Sequence, residues 1–325
     1  MKYSSKSLLI LLAFAAIYIT WGSTYLAISI TLKDMPPFFM SALRFLVAGV
    51  LLLAWCMYKK ENWPAKSEII KSAVCGTVML AGGTAAIAWS EQHIPSGMAA
   101  ITNTTVPFWF VLLDRKQWKF YFSNKWILAG LITGFTGAVL LLSFRPMTAS
   151  TSSPAMQLAS IIVLIFGCGL LWATGSLYSK YKPTKLSASA NICIQLLVGG
   201  LICSLISVSS EKPSSFSFSR VHAQSWMAFA YLVVMGNIVA YMAYIWLLKV
   251  KPPAIVSTYA YVSPLIAVVL GWLVAGDTIT VVQIAAFGII LTGVLFVNMP
   301  KYKDLFKGRR FPLSGASKVK TAMGN

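Results

Sequence analysis

Two histidines, His93 and His222, and eight carboxylates are all the acid–base chemistry that this 325-residue chain could offer. Catalysis by proton transfer, nucleophile or metal needs such groups clustered, and no cluster of His, Asp or Glu lies in or near the apolar segments. Cys56, Cys75, Cys168, Cys193 and Cys203 sit inside apolar runs without metal-ligand spacing, so they read as small core residues rather than disulfides or ligands. No catalytic residue, metal or cofactor is expected, and the chain does not read as an enzyme. A lipid-modifying membrane enzyme is a weak alternative. A channel is another, although no ring of charge or repeated carbonyl filter motif is present.

The chemistry that remains is recognition. Arg44 is the basic residue placed deep in an apolar segment. A charge at mid-membrane costs at least about 2.5–3.5 kcal/mol on insertion scales, so it must face protein or water. It reads either as a fixed positive charge for a substrate carboxylate or acidic partner, or as an anchor bonded to helix carbonyls. Trp and Tyr gather at membrane interfaces, but Trp21, Tyr259 and Tyr261 lie well inside apolar runs beside Ser and Thr. Aromatic walls with a few polar groups suit an apolar or zwitterionic small molecule. The expected cavity lining is Trp21, Thr24, Arg44, Thr102, Asn103, Trp172, Tyr241, Tyr259 and Tyr261. Glu91 and His93 read as either a proton-responsive gate or wetted helix-end residues.

These residues are carried by a chain that is 58% hydrophobic and 11% charged, with mean hydropathy +0.74. Too little polar surface remains to face water all round, so lipid must cover much of it. Runs of about 20 apolar residues, the length that crosses a bilayer, fall near 8–32, 36–58, 69–90, 94–113, 125–144, 157–179, 187–208, 225–248, 253–274 and 280–299. The net charge of +19 is spread through the connections rather than gathered into a nucleic-acid-binding patch. Lys33, Arg145, Lys212 and Arg220 fall in loops on one side, Arg44 lies within a span, and every other Lys and Arg falls on the side of the two termini. By the positive-inside rule both termini are cytoplasmic.

The chain also repeats. Sliding it over itself superposes Trp21 on Trp172, Arg44 on Gln195, Gly49 on Gly200, Trp89 on Trp246, Pro95 on Pro252, Pro107 on Pro264 and Gly137 on Gly293. Five spans per copy force the second copy to enter from the opposite face. Such inverted repeats are a signature of secondary transporters, with the substrate site between the halves. Pro107 and Pro264 read as one hinge used twice, each freeing a carbonyl in a helix interior, with Thr102–Thr105 and Ser257–Ser263 facing the pathway. Gly130, Gly134 and Gly137, with Gly288 and Gly293, would let the fifth and tenth spans pack closely.

The stretches "ITWGSTYLAISI", "LRFLVAGVLLL", "WSEQHIPSGMAAITNTTVPFW" and "TYAYVSPLIAVVLGWLVAGDTIT" resemble the EamA family of the drug/metabolite transporter superfamily. The resemblance implies an all-α membrane protein of ten transmembrane helices in two inverted-topology EamA repeats, 8–144 and 157–299, followed by a basic cytoplasmic tail, 300–325. It implies export or exchange of small metabolites, often amino acids or related compounds, at the inner membrane. Expected partners are a small-molecule substrate and membrane lipids, not nucleic acid, with the chain acting as a monomer or homodimer. Asp277 stands where the family usually has a glutamate.

Overall fold

The computed structural model describes residues 5–62, 64–143, 152–211, 216–275 and 281–306. Arg145, Lys212, Asp277 and the tail beyond residue 306, each read above from sequence, lie outside them. The long helices are α1 (Ser5–Thr31), α2 (Pro37–Tyr58), α3 (Lys66–Ser90), α4 (Ser96–Leu113), α5 (Lys125–Ser143), α6 (Pro154–Tyr181), α7 (Ala188–Ser210), α8 (Ala223–Val250), α9 (Pro253–Val256 continued by Tyr259–Ala275) and α10 (Val281–Phe306). Among the described residues α1–α4 and α6–α8 are long and apolar enough to cross a membrane. The other three expected spans carry the shorter apolar helices Lys125–Leu140, Pro253–Ala267 and Ile284–Val297.

Proline at the first turn starts α2, α6 and the first piece of α9, where its missing N–H costs no hydrogen bond. At some helix starts free N–H groups are met by side chains. Ser187 Oγ accepts from Ala190 N at 3.0 Å at the head of α7. The Glu211 carboxylate, at the end of α7, accepts from Phe38 N at 2.6 Å and Phe39 N at 2.8 Å at the head of α2.

Many large apolar side chains point outward while small residues pack inward, unlike the pattern of a water-soluble helix. On α7, Leu201, Leu205 and Val208 are exposed, while Gly199, Gly200, Cys203 and Ser207 are buried. Hydrocarbon gives helices no hydrophobic reason to associate, so close approach over small residues holds them instead. The contact of α2 with α7 is reciprocal: a Cβ at Gly49 would lie 2.8 Å from the Leu197 side chain, and one at Gly200 2.8 Å from that of Leu46. The same exchange joins α5 to α10. A Cβ at Gly137 would lie 2.9 Å from Ile290 N, and one at Gly293 would collide with the backbone of Gly134. Gly288 does not share this role, since it faces open space.

The two proline-bearing helices break differently from the sequence expectation. In α4 a tight 3₁₀ turn, Asn103–Thr105, precedes Pro107, and Val106 N–H takes the Asn103 carbonyl that Pro107 could not bond. In α9 the break falls at Ser257–Thr258, ahead of the segment in which Pro264 is interior. There Ala260 N bonds Ser257 O and Tyr261 N bonds Thr258 O.

Gly293→Val should overpack the α5–α10 contact at a cost of about 1–3 kcal/mol and lower the melting temperature of the purified protein in detergent. Gly288→Ala, with no neighbour to displace, should leave it unchanged or slightly raised.

Candidate functional site

A cavity of about 60 Å³ lies among α1, α2, α3, α4, α6, α8 and α9, room for several waters at about 10–15 Å³ each. Its walls are aromatic. Trp21 of α1 and Trp172 of α6, which occupy the same place in the two sequence repeats, meet edge to face with ring centroids 5.4 Å apart. Tyr259 lies 4.7 Å from Trp21, and Tyr244 lies 5.0 Å from Trp21 and 5.2 Å from Trp172 behind them. Such edge-to-face packing suits the ring quadrupoles and holds the wall rigid.

Three of the helices reach the cavity through π-helical turns: Gly76–Thr84 in α3, Leu164–Leu171 in α6 and Leu232–Ala240 in α8. The wider turns supply Leu80, Thr84, Cys168, Gly236 and Asn237 to the lining, and Trp172 and Tyr241 follow directly after two of them. π-turns are rare and gather at functional sites. The turns in α3 and α8 fall at matching positions of the repeat, whereas α1, the counterpart of α6, is α-helical throughout its described length.

Of the residues expected from sequence, Trp21, Thr24, Arg44, Asn103, Trp172, Tyr241 and Tyr259 line this one cavity. Thr102 and Tyr261 do not. Thr102 Oγ1 bonds back to Met98 O at 2.9 Å, and Tyr261 is buried against α5, its hydroxyl 3.3 Å from Leu131 O. The neighbouring hydroxyls are spent in the same way. Thr104, Thr105, Ser257 and Ser263 each donate to a carbonyl of their own helix turn, as Thr24 does in the cavity wall. Tyr25, Ile28, Thr84, Ile87, Cys168 and Asn237 also line the cavity without having been singled out. Asn237, a polar residue in an apolar run like Asn103, carried a readable signal.

The polar groups in the wall are mostly paired with one another. Asn103 Nδ2 donates to Tyr25 Oη at 2.8 Å, Asn237 Nδ2 to Arg44 O at 3.2 Å, and Tyr241 Oη to Gln195 Oε1. Gln195 continues to Asn191 at 3.0 Å, which also accepts from Ser72 Oγ at 2.7 Å. Arg44 is 2% exposed, and its Nε and Nη2 have no partner. Both carboxylate oxygens of Glu91 are likewise buried and unpartnered, which corrects the reading of Glu91 as a wetted end. His93 Nδ1 lies 3.1 Å from Ser152 Oγ.

Polar contacts fasten the helices at both ends of the bundle, again in pairs. At one end Asp34 accepts from Ser225 Oγ, from His222 N at 3.0 Å and from the His222 ring at 2.9 Å, while Glu211 holds the head of α2. At the other end Glu68 accepts from Lys185 N at 2.7 Å, Glu61 accepts from Ser187 Oγ at 2.6 Å, and Asp114 accepts from Tyr181 Oη at 2.5 Å. Lys180 Nζ adds bonds to Leu248 O at 2.6 Å and Lys251 O at 2.8 Å.

Apolar helices wrapped around one buried, aromatic-walled cavity make the build of a multi-pass membrane protein. This chain belongs to the EamA-like transporter family, which matches residues 7–143 and again 159–299. It is similar to the uncharacterized inner membrane transporter YedA of Escherichia coli, at 31% identity covering 89% of this chain and 90% of that relative. It is also similar to protein PagO of Salmonella typhimurium, at 25% identity covering 88% and 93%, and to protein PecM of Dickeya dadantii, at 23% identity covering 86% and 88%. A solved crystal structure shares the fold with TM-score 0.71 at 18% identity, covering 91% of this chain and all of the other.

The Ser225 hydroxyl, followed by the His222 hydrogen bonds, pulls the Asp34 carboxyl down to about 2. A lowered carboxylate value gives stability that is present above the ordinary value, 3.8, and lost as pH falls towards 2. Hydrogen exchange of the 217–225 segment, corrected for intrinsic rates, should therefore stay constant from about pH 5 to 8, the range in which histidine titrates. Asp34→Asn should lose protection throughout. Protection that varied across that range would assign the fastening to His222.

Proposed function

We propose that the chain is an inner-membrane carrier that exports or exchanges small metabolites, amino acids or related compounds, by alternating access around the central cavity. The ten helices form two inverted repeats, 8–144 and 157–299, with both termini cytoplasmic. The observation that carries this reading is the paired construction of the site. Trp21 and Trp172 meet at its centre, Gly49–Leu197 mirrors Gly200–Leu46 beside it, and matching sets of polar contacts lie at opposite ends. Such twofold construction lets either half play either role, so an inward-open form is the mirror of an outward-open one. The names of the relatives and the positive-inside count support the membrane and the orientation.

In this reading Trp21, Thr24, Arg44, Asn103, Trp172, Tyr241 and Tyr259 contact the cargo, while α5 and α10 serve as scaffold. The broken turns before Pro107 and within α9 ahead of Pro264 act as hinges, because non-helical backbone at membrane depth is tolerated only against protein or a cavity. The carrier acts as a monomer or homodimer.

Cys168, a free thiol in the cavity wall, reports on the mechanism. In oriented membrane vesicles with the other four cysteines replaced by alanine, a membrane-impermeant maleimide should label Cys168 from either face. Asp34→Asn and Glu211→Gln should raise labelling from their own face at least twofold and lower it from the other. Labelling that rose from both faces together would indicate a channel, and no labelling from either face would remove the cavity from the pathway.

A further inference from the structure

The cavity wall carries one full charge that nothing in it balances. Arg44 is fully enclosed, its guanidinium 4.8 Å from the Phe45 ring centroid, with Nε and Nη2 unpartnered. Among the described residues the lining contains no acidic side chain. Most of its neutral polar groups are already occupied: Asn103 donates to Tyr25, Asn237 to the Arg44 carbonyl, Tyr241 to Gln195, Thr24 Oγ1 to Trp21 O and Thr84 Oγ1 to Met79 O. The charged donors left over belong to Arg44, and Trp172 Nε1 is a neutral donor without a partner beside them.

The carboxyl group within electrostatic range of Arg44 is Glu91, just beyond the end of α3. Its carboxylate oxygens make no hydrogen bond to the guanidinium. Among the described residues the ion pairs are Lys71–Glu68 and His222–Asp34, so no ion pair joins Glu91 to Arg44. The titratable groups facing Glu91 are Arg44 from α2 and Tyr25 from α1. Burial pushes the Glu91 carboxyl well above the usual range, with Arg44 pulling the other way. A guanidinium cannot shed its proton. With Nε and Nη2 unpartnered and no ion pair made, the buried charge of Arg44 is left for a ligand to meet.

We propose that the cargo is an organic monoanion, with one carboxylate received by the Arg44 fork and a compact apolar or aromatic body set against Trp21, Trp172 and Tyr259. This rests on the carrier reading and narrows its substrate class. A planar guanidinium matches a carboxylate with two parallel hydrogen bonds, and the aromatic walls supply apolar contact without further polar demand. The competing occupant is a cation, since Trp and Tyr faces also attract ammonium groups.

The test uses three molecules of one shape: 3-phenylpropionate, 3-phenylpropionamide and 3-phenylpropylamine. Each is added at increasing concentration to the full chain in lipid nanodiscs, and alkylation of Cys168 is followed by peptide mass spectrometry. The carboxylate should slow alkylation at least tenfold at saturation, and the amide and amine should not. Arg44→Gln should abolish this protection, and Arg44→Lys, which keeps the charge but not the fork, should weaken it about tenfold. As pH rises, Glu91 ionises within range of Arg44 and opposes a second anion, so protection should fall in the wild type. In Glu91→Gln it should persist. Equal protection by the amide or amine, carboxylate protection that survives in Arg44→Gln, or no protection while Cys168 reacts freely would overturn the proposal. Labelling of Cys168 alternately from the two faces would still stand in those cases, so the carrier reading fails or survives separately.

Discussion

The close approach of α2 to α7 is the contact on which the rest of the site depends. Gly49 gives way to Leu197 and Gly200 to Leu46, so the two helices lie against each other with no room for a side chain at either crossing. Arg44 stands two residues before Leu46, and Gln195 stands two residues before Leu197. The one contact therefore sets both deep polar groups at fixed heights beside the cavity. It also brings the start of each helix to the end of the other, where Glu211 reaches the head of α2 and Glu61 reaches Ser187 at the head of α7. Without water to bond the open N–H groups, such end-to-end satisfaction is a requirement of the bilayer interior and its margins.

The symmetry of the frame throws its one asymmetry into relief. Gln195 is neutral and closed into a chain with Tyr241, Asn191 and Ser72. Its counterpart Arg44 is charged and open. The α6 π-turn, absent from α1, is a second departure of the same kind, and it delivers Cys168 to the wall beside Asn103, with Sγ 3.2 Å from Asn103 Oδ1.

Much of this frame was legible in the residues. Apolar length marks a span, and Gly, Trp and Pro recurring in register mark the repeat, because each is costly to place at random in a membrane helix. Trp21, Arg44, Asn103, Trp172 and Tyr259 could be picked out because polar or amphipathic groups inside apolar runs need partners. What stayed hidden was local geometry. A π-turn leaves no compositional trace, since Gly76–Thr84 reads as any apolar run. Thr102 looked like a pathway residue, but a threonine in lipid can satisfy its hydroxyl on its own helix carbonyl. Tyr261 follows Tyr259 by two residues and so points to nearly the opposite side of its helix, against α5. Glu91 sits at a helix end, where sequence alone suggests water, yet folding buries it.

The central claim is that one cavity is served by two fastenings that open in turn. Distances between spin labels at positions 38 and 210, and in a second sample at 59 and 188, which leave the fastening side chains in place, measured by pulsed electron resonance in nanodiscs, test it directly. The account predicts a short and a long population for each pair. Asp34→Asn, at the end where 38 and 210 lie, should lengthen that pair while shortening 59–188. Both pairs lengthening together under the same substitution, or neither showing a second population in any condition, would contradict it.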